Sequence, residues 1–425
     1  MQIYNRGELI LGQPKYMLAI DAGTVNTKAV IADVTDPINI QIVGYALVSS
    51  VGIIDSVIVD ARKSMISVRE AVDKAQRMAG VRVGNAIVSI TGSHIESLKL
   101  SGSVLISQGG FNNGEAGTIT SRDIERAIGN ANVVSAPPDH QIFQVIVDNY
   151  IVKNFGSVSS PVGLKGEKLT VKMHRMSGFR NSIKNLERCI LEAGLGVREI
   201  VLESVASGFG VLMNSEMTKG VVVINFGGGT IDCAIFKNGA IESTRRSKYA
   251  GEIVTKDVSD AFDIPIKVAE RLKVNYGNTG QVQDPNIEIS VDAGKSTDSR
   301  YVTAGDLNFV VHARVEELLE SINDQLKEDN SNSGLSGIVL TGGSAQLKGI
   351  KSLSEQVFGL PVRIGVPATS VKMEKNLCNP IYSTCVGLVR YGLINNSEAT
   401  NSDDTAFSFR GFGKNIERLY GWFTN

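Results

Sequence analysis

The sequence predicts an α/β protein built from two related lobes, on three observations. An apolar run, Tyr16-Met17-Leu18-Ala19-Ile20, ends in Asp21-Ala22-Gly23-Thr24 and returns to apolar Ala29-Val30-Ile31. A second run, Val221-Val222-Val223-Ile224, ends in Asn225-Phe226-Gly227-Gly228-Gly229-Thr230 and returns to Ala234-Ile235-Phe236. After each, stretches of strand pattern alternate with stretches of helical spacing, which is how α/β folds read. Each run is a β-hairpin whose turn lets another group approach the backbone closely, because glycine has no Cβ. Two such turns suggest two lobes that grip a phosphorylated ligand from both sides.

The elements follow in order. Residues 1–14 read as a loose arm. Strands are expected at 16–21, 28–34, 40–48 and 55–59. Met65, Val68, Val72, Ala75 and Met78 lie at helical spacing and Gly80 closes that helix. Ala86–Ile90 is a strand, and the Gly/Ser/Asn-rich stretch 101–120 is loop with short strands. Ser121 and Glu125 cap a short helix that Pro137-Pro138 stops. Strands recur near 141–147 and 169–174, a helix at 178–193 ends at Gly194, and 200–202 is a strand. In the second half, Val254, Val258 and Phe262 mark one helix, and another spans 265–276. Polar residues 277–300 form loop and edge strand. His312 to Lys327 is a helix with Val315, Leu318, Leu319, Ile322 and Leu326 on one side. Ile338-Val339-Leu340 is a strand running into Thr341-Gly342-Gly343-Ser344, with a helix after it. Residues 395–408 are polar and acidic and read as a flexible linker.

Composition narrows the function. The chain has 425 residues, enough for two or more domains with buried cores. Hydrophobic residues make up 42% and charged ones 20%, ordinary globular chemistry. The formal net charge of -1 gives no global drive toward nucleic acid, so an acidic or membrane partner must be met by a local patch. Cys189, Cys233, Cys378 and Cys385 lack zinc-type spacing and read as reduced cytosolic thiols. His94, His140, His174 and His312 lack the HExxH spacing. No secretory signal opens the chain, and no apolar run approaches the ~20 residues of a membrane span. A soluble cytoplasmic protein is expected, unless something anchors it.

The three glycine turns matter together. Their backbone N–H groups can point into one cavity and hold phosphate oxygens. Asp21 can hold Mg²⁺ through water, since a hard cation near phosphates takes carboxylate and water oxygen.

In this order, the turns resemble the two phosphate motifs and the adenosine motif of the actin/Hsp70/sugar-kinase ATPase superfamily. Within it the chain resembles the FtsA family of bacterial cell-division proteins. The resemblance is carried by Gly52-Ile53-Ile54-Asp55, Ser89-Ile90-Thr91-Gly92-Ser93-His94-Ile95, Pro161-Val162-Gly163-Leu164, Tyr249-Ala250-Gly251 with Thr255-Lys256-Asp257, and Pro380-Ile381-Tyr382-Ser383-Thr384-Cys385-Val386-Gly387-Leu388. It implies an actin-like two-lobed ATPase fold with an extra subdomain in the first lobe. The implied first-lobe core is 15–86 with 165–199, and the inserted subdomain 87–164. The implied second-lobe core is 200–262 with 336–394, and its small subdomain 263–335.

The resemblance also implies ATP with Mg²⁺ as cofactors. Gly23, Thr24, Asn26 and Thr27 line the first phosphate loop. Gly227, Gly228, Gly229 and Thr230 line the second, with Gly251 nearby. Glu270 and Lys273 hold ribose and adenine, and Gly342, Gly343 and Ser344 form the adenosine motif. Asp21 and Glu203 stand as the catalytic carboxylates. Asn225 departs from the pattern, because the superfamily usually has Asp there. Asn keeps hydrogen bonds and loses the charge, so ATP binding with weak or absent hydrolysis is expected.

The tail runs from Phe409 to Phe423. At about 100° per residue, Phe409, Phe412, Ile416, Leu419, Tyr420 and Phe423 share an arc of roughly 100°. Arg410, Lys414 and Arg418 lie on the opposite flank, and Trp422 at the border suits a membrane interface. Residues 409–425 therefore read as an amphipathic helix that lies on anionic lipid without spanning it. Family resemblance adds the FtsZ C-terminal peptide, gripped by 263–335, later division proteins, and self-assembly, whose many tails add avidity. No nucleic acid is expected. The implied place is the cytoplasmic face of the inner membrane at the division site, as a peripheral protein. Two alternatives are an FtsA-like pilus-assembly ATP-binding protein, without the terminal helix, and a small-molecule kinase of the same superfamily.

Overall fold

A computed structural model describes residues 15–106, 116–158, 160–291, 300–328, 334–367 and 371–396. The expected N-terminal arm, residues 397–408 of the expected linker and the expected amphipathic helix at 409–425 lie outside the described residues.

The first lobe begins with β1 (Tyr16–Ala22), β2 (Asn26–Asp33) and β3 (Gln41–Ser49), an antiparallel meander with one register shift, between Ile31 and Ala32 of β2 against β3. Both faces of β1 and β2 are buried, which explains their near-continuous apolar runs. The strand expected at 55–59 is instead a small hairpin, β4 (Ile53–Ile54) and β5 (Val57–Ile58). Helix α1 (Ala61–Ala79) starts at Asp60, whose side chain accepts the Lys63 amide, and ends at left-handed Gly80. Strand β6 (Asn85–Ile90) then pairs parallel with β1.

The inserted unit follows: β7 (Ile95–Leu105), β8 (Gly117–Thr118), α2 (Ser121–Ala131), β9 (His140–Val152), β10 (Gly156–Val158), β11 (Lys165–Gly166) and β12 (Lys168–Phe179). Three sequence expectations change here. β7 runs into the stretch read as loop with short strands, as far as Leu105, because it pairs with β12 along its length and Gly102 lies flush under Ala127 and Ala131 of α2. The cap of α2 is Thr120 with Asp123, not Ser121 with Glu125: one carboxylate oxygen of Asp123 accepts from the Thr120 amide and hydroxyl at 3.0 and 2.6 Å. The inserted sheet, β10-β9-β12-β7, runs to Phe179, past the expected boundary at 164, since β12 pairs with β9 on one side and β7 on the other. A bulge opposite Lys172 and Met173 skips Asp148, whose carboxylate lies 3.5 Å from His174. Burial pushes the Asp148 carboxyl up to about 7 and the His174 imidazole down to about 4, so burial disfavours the charged form of both.

The chain returns to the first lobe with α3 (Arg180–Glu192) and β13 (Gly196–Leu202), which pairs parallel with β6. Residues 200–202 therefore belong to the first sheet. Two helices absent from the sequence reading come next, α4 (Glu203–Val211) and α5 (Asn214–Lys219).

The second lobe repeats the pattern with β14 (Val221–Phe226), β15 (Ile231–Lys237) and β16 (Ala240–Ser247), then α6 (Gly251–Phe262), α7 (Ile266–Tyr276), β17 (Glu288–Ser290), β18 (Tyr301–Thr303), α8 (Ala304–Glu328), β19 (Ile338–Thr341), α9 (Ile350–Phe358) and β20 (Val362–Ile364). Helix α8 starts at Ala304, eight residues before the expected His312. Helix α10 (Ser383–Asn396) closes the described chain and takes in the first two residues of the expected linker.

The sheets have the same plan. One runs β3-β2-β1-β6-β13 and the other β16-β15-β14-β19-β20, each an antiparallel meander of three with two parallel strands added beside its first. Helices α4 and α10 cross between them. A Cβ on Gly387 would lie 1.7 Å from the Ala206 carbonyl and one on Gly210 2.0 Å from that of Ser383, so only glycine permits this approach.

Candidate functional site

The connections at the ends of β1, β14 and β19 converge on one cleft of about 430 Å³ between the lobes. The first turn is closed by the Gly23 amide donating to Asn26 O at 3.2 Å. It is braced from behind by Ser50, whose hydroxyl donates to Gly23 O at 2.7 Å and lies 2.8 Å from the Thr27 hydroxyl. Gly23, Thr24 and Asn26 line the cleft. Thr27 is fully buried behind them and does not.

The second turn is closed by the Gly227 amide on Thr230 O at 3.0 Å. The carbonyls of Gly227 and Gly228 accept the first amides of α6, from Gly251 at 3.2 Å and Glu252 at 2.8 Å. Those carbonyls therefore face the helix, and Gly251 serves the turn from outside the cleft wall. A Cβ on Gly228 would lie 2.3 Å from Val25 Cγ2, and one on Gly229 would lie 2.2 Å from Thr24 Oγ1. The two phosphate turns thus touch across the lobes only because these residues lack side chains. In the third turn Gly342 has φ +90°, and a Cβ there would strike Asn225 Oδ1 at 2.4 Å. Ser344 donates its hydroxyl to Gly227 O at 2.9 Å, joining third turn to second.

Glu270 and Lys273 both line the cleft from α7. Lys273 is 7% exposed and its ammonium donates to Gly251 O at 2.9 Å and Thr255 Oγ1 at 2.7 Å, with Glu270 also at 2.7 Å. It fastens α7 to α6 rather than lying loose on a helix surface.

Three carboxylates gather behind the turns. Asp21 is 1% exposed, accepts from Ser89 at 2.7 Å and pairs with Lys28 at 2.5 Å. Burial works against the charge of Lys28, but Asp21, Cys385 and Glu203 together hold its pKa above the ordinary lysine value. Asp232 is tied to Thr91 at 2.5 Å, Thr230 at 2.8 Å and Arg246 at 3.0 Å, a clasp joining the lobes. Glu203 accepts from Asn225 Nδ2 at 2.7 Å. Burial, then the nearby Asp21 and Asp232 carboxylates, push the Glu203 carboxyl well above the usual range, and the Asn225 bond and Lys28 offset only part of this.

That chemistry fits a phosphate-bearing ligand better than a protein-ligated metal. The acids lining the cleft are Glu203 and Glu270. One has its carboxyl pushed up by burial and the other is paired with lysine. Asp21, expected to reach Mg²⁺ through water, already has its charge met by Lys28. A direct carboxylate site for Mg²⁺ does not fit, and no cluster of three or more metal-ligating side chains occurs among the described residues.

The sequence reading missed Lys28, Ser56 and Thr384, which also line the cleft. Lys28 was findable: Asp21 and Lys28 are register partners across the hairpin, and Lys28 directly precedes the apolar run Ala29-Val30-Ile31-Ala32 of its strand. Ser56 had no local signal.

Solved structures share the architecture. The PilM-PilN type IV pilus biogenesis complex superposes with a TM-score of 0.64 at 13% identity, over 89% of this chain and 98% of that one. MreB5 of Spiroplasma citri bound to ADP gives 0.52 at 14% identity, over 90% and 99%. Fold and cleft together define an actin-like two-lobed ATPase fold with an extra subdomain in the first lobe. A family model for cell division protein FtsA matches residues 222–387, and one for the SHS2 domain inserted in FTSA matches 92–177, on the inserted unit. The chain is 33% identical to cell division protein FtsA of Pseudomonas aeruginosa over 413 residues, 96% of this chain and 97% of that one. It is 30% identical to that of Escherichia coli K12 over 421 residues, 96% and 97%. The chain belongs to the FtsA family of cell-division proteins.

Proposed function

We propose that this chain binds ATP between its lobes, hydrolyses it feebly, assembles with itself, and tethers FtsZ polymers to the inner face of the cytoplasmic membrane through residues 409–425. The observation that carries the reading is the convergence of three glycine turns, from both lobes, on one cleft. Bound ATP would hold the lobes closed, since its phosphates would touch turns of both. Closed subunits would stack head to tail, and the tails would attach the filament to anionic lipid. The small subdomain, 263–335, would take the FtsZ C-terminal peptide. The proposed site residues are those named in the three turns, with Glu270 and Lys273 at the nucleoside. Any Mg²⁺ would travel with the phosphates and water. The likeness to the pilus protein is one of fold, and full-length identity to FtsA proteins favours division over pilus assembly.

Two experiments test the parts. Co-sedimentation of the full chain with anionic liposomes should pellet it, and deletion of 409–425 should leave the protein in the supernatant. Equal pelleting removes the tether. For the chemistry, phosphate release should stay below about 1 per second in the native protein. Asn225→Asp should raise it about tenfold or more, because a carboxylate would then face the phosphates where an uncharged amide now stands. Unchanged turnover would show that Asn225 is not what limits hydrolysis.

A further inference from the structure

The β4–β5 hairpin brings a third element to the phosphate turns. Its tip residues Asp55 and Ser56 have φ +48° and +61°, the left-handed region that non-glycine residues hold only when their surroundings fix them. The Ser56 amide donates to Thr24 Oγ1 at 2.8 Å. Its hydroxyl lies 3.3 Å from Thr24 Oγ1 and 3.3 Å from Thr230 Oγ1. Three hydroxyls, one from each phosphate turn and one from the hairpin, therefore meet at one point.

Their protons are not equally free. The Thr230 hydroxyl donates to Asp232 at 2.8 Å, so toward Ser56 it can only accept. Thr24 Oγ1 already accepts the Ser56 amide. The Ser56 O–H can therefore donate to Thr230, across the lobe boundary, or to the second lone pair of Thr24, both 3.3 Å away and both neutral. Ser56 also lines both the large cleft and a polar chamber of about 20 Å³ behind it, shared with Ser89, Thr91, His94 and Glu203 and large enough for one water. On a nucleoside triphosphate the terminal phosphate is the group farthest from the base and the one that reaches where both turns meet.

We propose that Ser56 is a positioning residue that reads the terminal phosphate: its hydroxyl turns from the neutral Thr24 and Thr230 hydroxyls to a phosphate oxygen when a triphosphate is bound and returns to them when a diphosphate is bound. This rests on reading the cleft as an ATP site. No proton is transferred. One neutral hydrogen bond is exchanged for a charge-assisted one, which is stronger, so the exchange favours ATP over ADP. The same hydroxyl reports the loss of that phosphate by rejoining the two lobes' turns.

The test is calorimetric titration of a non-hydrolysable ATP analogue and of ADP into the full-length native protein, Ser56→Gly and Ser56→Ala. Glycine adopts the left-handed conformation without strain, and alanine deletes only the oxygen, so two folded variants remove the hydroxyl by different routes. Both should lower the ratio of triphosphate to diphosphate affinity about tenfold, with ADP affinity within about twofold of native. A native ratio in either folded variant overturns the role of Ser56 while leaving the ATP site standing. If the native protein takes up neither nucleotide, the ATP reading fails and this inference falls with it.

Discussion

Gly229→Ala is expected to lower ATP affinity by about 100-fold or more. The new Cβ would lie 2.2 Å from Thr24 Oγ1, far inside contact distance, and Thr24 belongs to the opposite lobe. Gly229 is not at positive φ, so alanine suits its own backbone. The clash can be relieved by parting the lobes, which leaves each core intact and opens the cleft. The loss therefore falls on nucleotide binding and not on folding. Gly129→Ala, where a Cβ meets nothing within 4 Å, is the control and should bind ATP as the native protein does. Titration of both variants, with thermal melts beside them, checks this. Native affinity in Gly229→Ala would mean that the lobes need not close on the ligand.

Lys28→Met is expected to destabilise the fold by about 3–5 kcal/mol, because it leaves a buried carboxylate without its cation. Lys28 is 12% exposed and lies 2.5 Å from Asp21, which is 1% exposed. The Ser89 hydroxyl also donates to Asp21 but carries no charge. Methionine keeps most of the stem volume, so packing loss is small and electrostatics dominates. Adding Asp21→Asn should recover about half of the deficit, since an amide costs far less to bury than an unpaired carboxylate. Denaturant melts of the single and double variants measure both quantities. A Lys28→Met protein as stable as native would show that Asp21 is not charged in the fold.

The legible parts of the fold were those whose pattern is local. The β1–β2 and β14–β15 hairpins announce themselves by apolar runs punctuated with acid or amide and glycine, and α1 by its spacing and Gly80. Strand β16 has no such pattern: its exposed Glu242 and the polar run to Ser247 are drawn into the sheet by pairing with β15. Helices α4 and α10 are buried on most sides between the lobes, so they lack the amphipathic stripe that marks a surface helix. The glycine turns of the site were likewise readable, since their residue types serve the backbone directly. Ser56 was not, because its meaning depends on Thr24 and Thr230, which only the folded chain brings to it. The buried state of Glu203 was hidden for the same reason, as its carboxyl is pushed up by burial and by Asp21 and Asp232.

Isothermal titration of ATP into folded, full-length protein tests the two-lobed grip most directly. One saturable site per chain is expected, competed by ADP and lost in Gly229→Ala. Well-folded protein that takes up no adenine nucleotide would contradict it, and would leave three glycine turns meeting in a cleft with no phosphate to hold.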